Sequence, residues 1–232
     1  MSFNALIQKT SDIRHDPHHK FLVYGAAGVG KTYLIRTLDG PALVGSCESG
    51  LGSLTDVDVD FANLDSVQRL RDMYAFLAKG EHEYKWAVLD SISEMAEMAL
   101  TEEMAKTKDG RQAYGQMQEV VIKLLRAFRS LPMNVYFAAK MRQDTLDGQL
   151  KFMPSMPGAT LTEKRPIAHD FDYVFALIAG SSEDGKPALR QLICHANEDY
   201  VAKARDPRHA LGAIEPADLG AIRAKIIESY TT

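Results

Sequence analysis

Residues 25 to 32, Gly25-Ala26-Ala27-Gly28-Val29-Gly30-Lys31-Thr32, carry a lysine and a hydroxyl directly behind a glycine-rich run, in the spacing GxxxxGK[ST]. Glycines let the backbone turn so that successive N–H groups converge on one anion, and a helix starting at the lysine adds its positive end. In such a cradle Lys31 bridges the β- and γ-phosphates of ATP and the Thr32 hydroxyl ligates Mg²⁺. Ala26, Ala27, Val29 and Tyr33 complete the surface offered to the nucleotide.

A Mg²⁺ ion held by one hydroxyl and phosphate oxygens also needs a carboxylate, placed at the end of a neighbouring buried strand. Asp90, which closes KWAVLD, fits that need. Its other reading is as N-cap of the segment starting at Ile92, a task open equally to Ser91. Hydrolysis further needs a group that orients or deprotonates water. Glu48 follows the strand ALVGSC and is expected at the carboxyl ends of the strands, where such sheets bind their ligands. Its alternative is a solvated loop glutamate.

These residues need a sheet to hold them. FLVY (21–24) reads as a buried parallel strand, and KTYLIRTL as a helix stopped at Asp39-Gly40-Pro41. ALVGSC (42–47) is a second strand. A helix over DSVQRLRDMYAFLAKG is expected to be capped by Asp65, and KWAVLD (85–90) to form the next strand. Two helices follow, ISEMAEMALTEEMAK and about 116–131, the latter with Val120, Leu124, Leu125 and Phe128 on one face. NVYFAA (134–139) is another strand, followed by a proline-interrupted loop from Lys140 to Asp170. FDYVFALIAG and ALRQLICHA form a hairpin around 181–186, and a helix over about 216–229 closes the chain. The expectation is one α/β domain over residues 1–232, a mainly parallel central sheet flanked by helices with a C-terminal β-hairpin.

The 232 residues suit one domain with a sizeable core, and 46% hydrophobic against 25% charged residues exclude wholesale disorder. A net charge of −4 gives no global attraction to nucleic acid, so any such binding must come from a local patch. Cys47 and Cys194 have no metal-type spacing and are expected as reduced thiols. The first twenty residues lack a signal-peptide pattern, and no stretch reaches the roughly 20 apolar residues of a membrane span. A cytoplasmic protein without membrane association is expected, the host cytoplasm if a phage encodes it.

With these residues placed, the chain resembles the RecA-like branch of P-loop ATPases. The acid of CESG stands where that branch carries its catalytic glutamate, and LDSIS matches its Walker B aspartate followed by serine. NVYFAAKMRQ matches the strand leading into its first DNA-binding loop. The helix YGQMQEVVIKLLRAFRSL, the segment PGATLTEKRPIAHDFDYVFAL and the late YVAKARD are similar to the short phage nucleotide-binding proteins, some of which are RecA-like single-strand annealing proteins. The resemblance implies a Mg²⁺-dependent ATPase, with Lys31, Thr32, Asp90 and Glu48 in the roles above. It implies a homo-oligomer acting on single-stranded DNA in recombination, with a single-strand-binding or replication protein as a further partner.

At Lys140 the RecA pattern has a glutamine that senses the γ-phosphate, so lysine is a departure there. Lys164 and Arg165 are candidates for a basic pair reaching a neighbouring subunit's ATP. Lys203 and Arg205 are candidates to lie over the nucleotide. Lys123, Arg126 and Arg129 recur every three residues and, with Phe152 as a stacking ring, form the candidate DNA surface. His15, His18 and His19 match no zinc pattern and read as an exposed lead-in. Phe3, Leu6 and Ile7 are open to packing on a neighbouring subunit or on the chain's own sheet. A P-loop small-molecule kinase and a nucleotide-gated adaptor for a partner protein remain the competing readings.

Overall fold

The strand β1 (Lys20–Gly25) is buried along its whole length, as its apolar run requires. The computed structural model describes residues 17–48, 50–146, 148–157, 167–180 and 189–231. After β1 come β2 (Ala42–Ser46), β3 (Asp60–Asn63), helix α1 (Val67–Lys79) and β4 (Trp86–Asp90). Helices α2 (Ile92–Met104) and α3 (Gly110–Arg129) lead into β5 (Asn134–Leu146) and β6 (Gln149–Ser155). The remainder holds β7 (Tyr173–Ala179), β8 (Arg190–Ile193), β9 (Lys203–Ala204), β10 (Ile214–Pro216) and α4 (Leu219–Thr231).

All strands join one sheet in the order β10-β8-β7-β1-β5-β4-β2-β3, with β6 paired to β5 and β9 to β7. The central run from β7 to β3 is parallel, whereas β6, β8, β9 and β10 add antiparallel edges. This is the RecA-like α/β class expected from the sequence, including the C-terminal β7–β8 hairpin. The strands that carry the P-loop and Asp90 are not neighbours, because β5 lies between them.

Alternation along the strands splits the core into two layers. Leu22 and Tyr24 of β1 join Val135, Phe137 and Ala139 of β5 under α1, α2 and α3. Phe21 and Val23, with Tyr136 and Ala138, face the short turn after the P-loop and α4. Helix α3 buries Met117, Val121, Leu124, Leu125 and Phe128 at helical spacing. Val121 takes the buried place, and Val120 is only partly covered. Among the described residues no helix is long and apolar enough to cross a membrane. Both cysteines are free thiols, and burial pushes each up to about 12.

Several local expectations are corrected. The helix expected after the P-loop is a short 3₁₀ turn, Tyr33–Thr37, because only a few residues separate Gly30 from the Asp39-Gly40-Pro41 stop. Helix α1 is capped by Ser66, whose hydroxyl accepts from the Arg69 N–H, and not by Asp65. Asp65 instead pairs with Arg69 at 3.1 Å. The stretch beginning at Lys140 is no irregular loop at first. β5 continues to Leu146 and turns back as β6, with Lys140 opposite Ser155. His19 is not exposed either, since its ring packs between Phe21 and Tyr173.

The turn after the P-loop is fixed from behind by α4. The Leu219 N–H donates to Thr37 Oγ1 at 3.0 Å, and a Cβ on Gly220 would stand 2.5 Å from the Thr37 carbonyl oxygen. Gly220→Ala must therefore push α4 away from the element that ends the phosphate loop. We expect a stability loss of about 1–3 kcal/mol, the usual scale of overpacking. Thermal unfolding reads this as a lowered Tm, and an unchanged Tm would refute the close approach.

Candidate nucleotide site

The carboxyl ends of β1, β4 and β2 lie level with the middle of β5 and bring the chemistry-bearing residues to one edge of the sheet. Gly25, the last residue of β1, is in register with Lys140 of β5, and Ser46 of β2 with Asp90 of β4. Glu48 follows two residues after Ser46. A cleft of ≈ 530 Å³ opens there, lined by Lys31, Thr32, Glu48, Asp90, Lys140 and Arg190. That volume lies within the range of small-molecule sites.

The loop itself depends on backbone shapes that a side chain would strain. Gly28 and Gly30 have φ of 74° and 106°, in the left-handed region. The Lys31 ammonium donates to the carbonyl oxygens of Gly25 and Ala26, at 2.9 and 3.0 Å. The Tyr136 hydroxyl donates to the Lys31 carbonyl at 2.8 Å from beneath the loop. Burial holds the Tyr136 phenol well above its ordinary range, so it remains a donor.

Thr32 and Asp90 meet directly: the hydroxyl donates to Asp90 Oδ2 at 2.6 Å. Burial raises the Asp90 carboxyl, against the opposing bond from Thr32, and the nearby Glu48 charge raises it further. Burial lowers Lys31, while Asp90 and Glu48 act in the other direction. A hydroxyl and a carboxylate side by side are hard oxygen donors that suit Mg²⁺. Among the described residues no cluster of His, Cys, Asp or Glu could hold a metal unaided. The nucleotide's own oxygens would have to complete the shell, as a P-loop requires.

Glu48 is exposed, yet its carboxylate is oriented. The Ser91 hydroxyl donates to Glu48 Oε1 at 2.8 Å and accepts from the Glu94 N–H, capping α2. Ser91 thus takes the N-cap role that Asp90 was open to, and leaves the aspartate for Thr32. Lys140 lines the same cleft, and its ammonium pairs with Glu94 and, at 3.6 Å, with Glu97. The Glu94 contact holds Lys140 above its ordinary value.

Other sequence-derived residues fall elsewhere. Lys164 and Arg165, like His15 and the Phe3, Leu6 and Ile7 segment, lie outside the described residues. Lys203 and Arg205 are not brought to the cleft. Lys203 pairs with Val174 beside Leu22, toward the amino ends of β7 and β1, and its ammonium donates to the Phe171 carbonyl at 2.6 Å. Arg205 pairs with Asp172 at 3.1 Å. The expected DNA surface is also altered, because Asp170 sits 4.0 Å from Arg126 and 3.9 Å from Arg129. Phe152 is stacked on Tyr200 with centroids 5.1 Å apart and is partly buried.

Two site residues, Tyr136 and Arg190, escaped the sequence reading, and Ser91 was weighed there only as an N-cap and not as a partner of Glu48. Tyr136 left a faint signal, as a hydroxyl inside the apolar NVYFAA. Arg190 left none. It opens β8, its Nε donates to the Val29 carbonyl at 2.9 Å, and its guanidinium carbon lies 4.5 Å from the centre of the Tyr33 ring.

A larger cavity of ≈ 770 Å³ adjoins Glu48 on its outer side and is lined by Leu51, Leu54, Val57 and Phe61. It is mostly apolar and holds no cation to meet phosphate, so the smaller cleft carries the nucleotide chemistry.

Residues 18–205 match the family described as AAA domain (AAA_24). Among solved structures, a KaiC-like protein from the hyperthermophilic archaeon Pyrococcus horikoshii OT3 is similar at 15% identity. That match covers 85% of this chain and 84% of the other, with a TM-score of 0.49. An ATPase from the type III secretion system of pathogenic bacteria is similar at 14% identity, over 69% of this chain and 52% of its own, with a TM-score of 0.46. A search of curated proteins gave no match.

Proposed function

The chain belongs to the AAA domain family, matched over residues 18–205, and from that premise we propose that its cleft hydrolyses ATP with Mg²⁺ and couples the reaction to single-stranded DNA. The chain is an AAA-type, RecA-like nucleotide-binding ATPase domain. The observation that carries the hydrolytic reading is the pairing of Thr32 with Asp90 at 2.6 Å beside Lys31, with Glu48 held by Ser91 at the same strand ends.

In this reading the loop amides and Lys31 bind the β- and γ-phosphates, and Lys31 exchanges the Gly25 and Ala26 carbonyls for phosphate oxygens. Mg²⁺, when bound with the nucleotide beside Thr32 and Asp90, neutralises charge on the phosphates. Glu48 accepts the proton of a water whose oxygen attacks the γ-phosphorus, and the bond to the ADP oxygen breaks. Ser91 keeps the accepting carboxylate aimed. In an oligomer, Lys164 and Arg165 would add a basic pair from a neighbouring subunit.

Support for a link to DNA comes from β5. Lys140 lies in the cleft, and the same strand runs on into the β5–β6 hairpin, so a shift at the nucleotide reaches the hairpin through one strand. Phage recombination or annealing is the setting we propose, with a homo-oligomer as the acting form and a single-strand-binding or replication protein as its companion. A second reading, a nucleotide-gated adaptor, is favoured by the exposed Phe61 of β3 and Phe76 of α1, which line one depression, since Phe61 also lines the cavity that adjoins Glu48.

Steady-state ATP hydrolysis with and without single-stranded DNA separates the two. The DNA reading expects stimulation of roughly tenfold that fades between about 50 and 200 mM salt, as phosphate contacts weaken. Turnover that ignores DNA at low salt would overturn it in favour of the adaptor.

A further inference from the structure

Arg190 is a cleft cation that neither the hydrolytic scheme nor the link through β5 uses. Its Nε donates to the Val29 carbonyl at 2.9 Å, and its guanidinium carbon lies over the Tyr33 ring, 4.5 Å from the centroid. Tyr33 is 40% exposed and has the Arg36 guanidinium at 4.9 Å as well. Arg36 is committed to Asp56, which accepts a paired hydrogen bond from it. Among the described residues the two terminal nitrogens of Arg190 have no partner, although the side chain is only partly exposed. The contact is close: a Cβ on Gly30 would stand 2.5 Å from Arg190 Nε.

The sheet order tells which part of a nucleotide meets this pair. Lys140, Asp90 and Glu48 belong to β5, β4 and the segment after β2, all on one side of β1. Arg190 belongs to β8, on the other side of β1 beyond β7, and its register with Ala179 puts it at the carboxyl end of β7. The groups that would act at the γ-phosphate therefore occupy one end of the cleft. A triphosphate laid along the loop with its γ end toward Glu48 directs its α-phosphate, ribose and base toward Tyr33 and Arg190.

We propose that Arg190 and Tyr33 form the platform on which the nucleobase stacks, with Arg190 as a nucleotide-binding residue supplied by the C-terminal hairpin. This rests on the nucleotide reading of the cleft and adds the base end to it. A guanidinium fixed by a backbone carbonyl and by a ring is already flat and ordered, so a purine can lie on it without first freezing a flexible side chain. Lysine could keep the bond to Val29 but offers no plane.

The test is equilibrium binding of Mg·ATP and Mg·tripolyphosphate, by calorimetry, to the full chain and to Arg190→Ala and Arg190→Lys, with far-UV circular dichroism to verify folding. Wild-type chain is expected to bind both compounds, ATP more tightly. Both variants are expected to lose roughly tenfold in ATP affinity, the scale of one stacking contact, and to keep their tripolyphosphate affinity. Equal losses for the two compounds, or rescue by lysine, would overturn the platform and leave Arg190 a brace for the Val29 carbonyl. Unchanged ATP binding in both variants would overturn it too. A folded wild-type chain that bound neither compound would refute the nucleotide reading itself, a failure visible before any variant is compared.

Discussion

Glu48→Gln is expected to bind ATP as well as the parent chain and to hydrolyse it roughly 10²- to 10⁴-fold more slowly, the usual contribution of a positioned general base. Glutamine keeps an oxygen to accept the Ser91 hydroxyl, now 2.8 Å from Glu48 Oε1, so the local geometry survives. What it loses is the ability to take a proton from water. Binding is spared because the substitution removes a negative charge from a cleft meant for a polyanion. Glu48 is one of the charges that support protonated Lys31, yet Asp90 is the stronger one and remains. The measurement is single-turnover hydrolysis beside an ATP titration. A variant that turned over at the parental rate would show that another group handles the water.

The P-loop was legible because its function depends on backbone shape, and backbone shape is written in glycine spacing. Asp90 and Glu48 were legible for a related reason: each follows a short apolar run, and the end of a buried strand is where a parallel sheet exposes its chemistry. The strand class survived wherever the core demanded it, as in FLVY and NVYFAA. The misses are of another kind. The β5–β6 hairpin was hidden because Lys140–Ser155 mixes charges with apolar residues and carries Pro154 within its second strand, although its strands pair residue for residue around Gly148. Arg190 was hidden because its role depends on Val29, which is 161 positions away in sequence. Phe152 was read as a lone ring because the chain gave no sign that Tyr200 would stack on it. Pairing between separate segments decides all three, and periodicity within one segment carries no information about it.

Asp90→Asn is expected to separate stability from function in opposite directions. Burial holds the Asp90 carboxyl above its ordinary value of 3.8, so the folded chain favours the protonated form more than the unfolded chain does. Stability from this residue is therefore fully present below pH 3.8 and is lost as pH rises through the higher folded value. At neutral pH the ionised, 8%-exposed carboxylate is a net cost to the fold. Asparagine removes that cost and still accepts the Thr32 hydroxyl, so the Tm at pH 7 should rise, at about 2–4 °C for each kcal/mol recovered in a chain of this size. The two proteins should converge in stability as the pH falls below 3.8, where the parental carboxyl is protonated in the folded and the unfolded chain alike. Turnover should move the other way. With the carboxylate charge gone from beside Thr32, the Mg²⁺ concentration needed for half-maximal hydrolysis should rise by roughly 10- to 100-fold, as when a carboxylate supporting a metal site is lost. Thermal melts across pH, set beside Mg²⁺ titrations of hydrolysis, read both effects. A variant no more stable at pH 7 would show that Asp90 is well solvated or paired in the fold, and an unaltered Mg²⁺ response would remove it from the metal site.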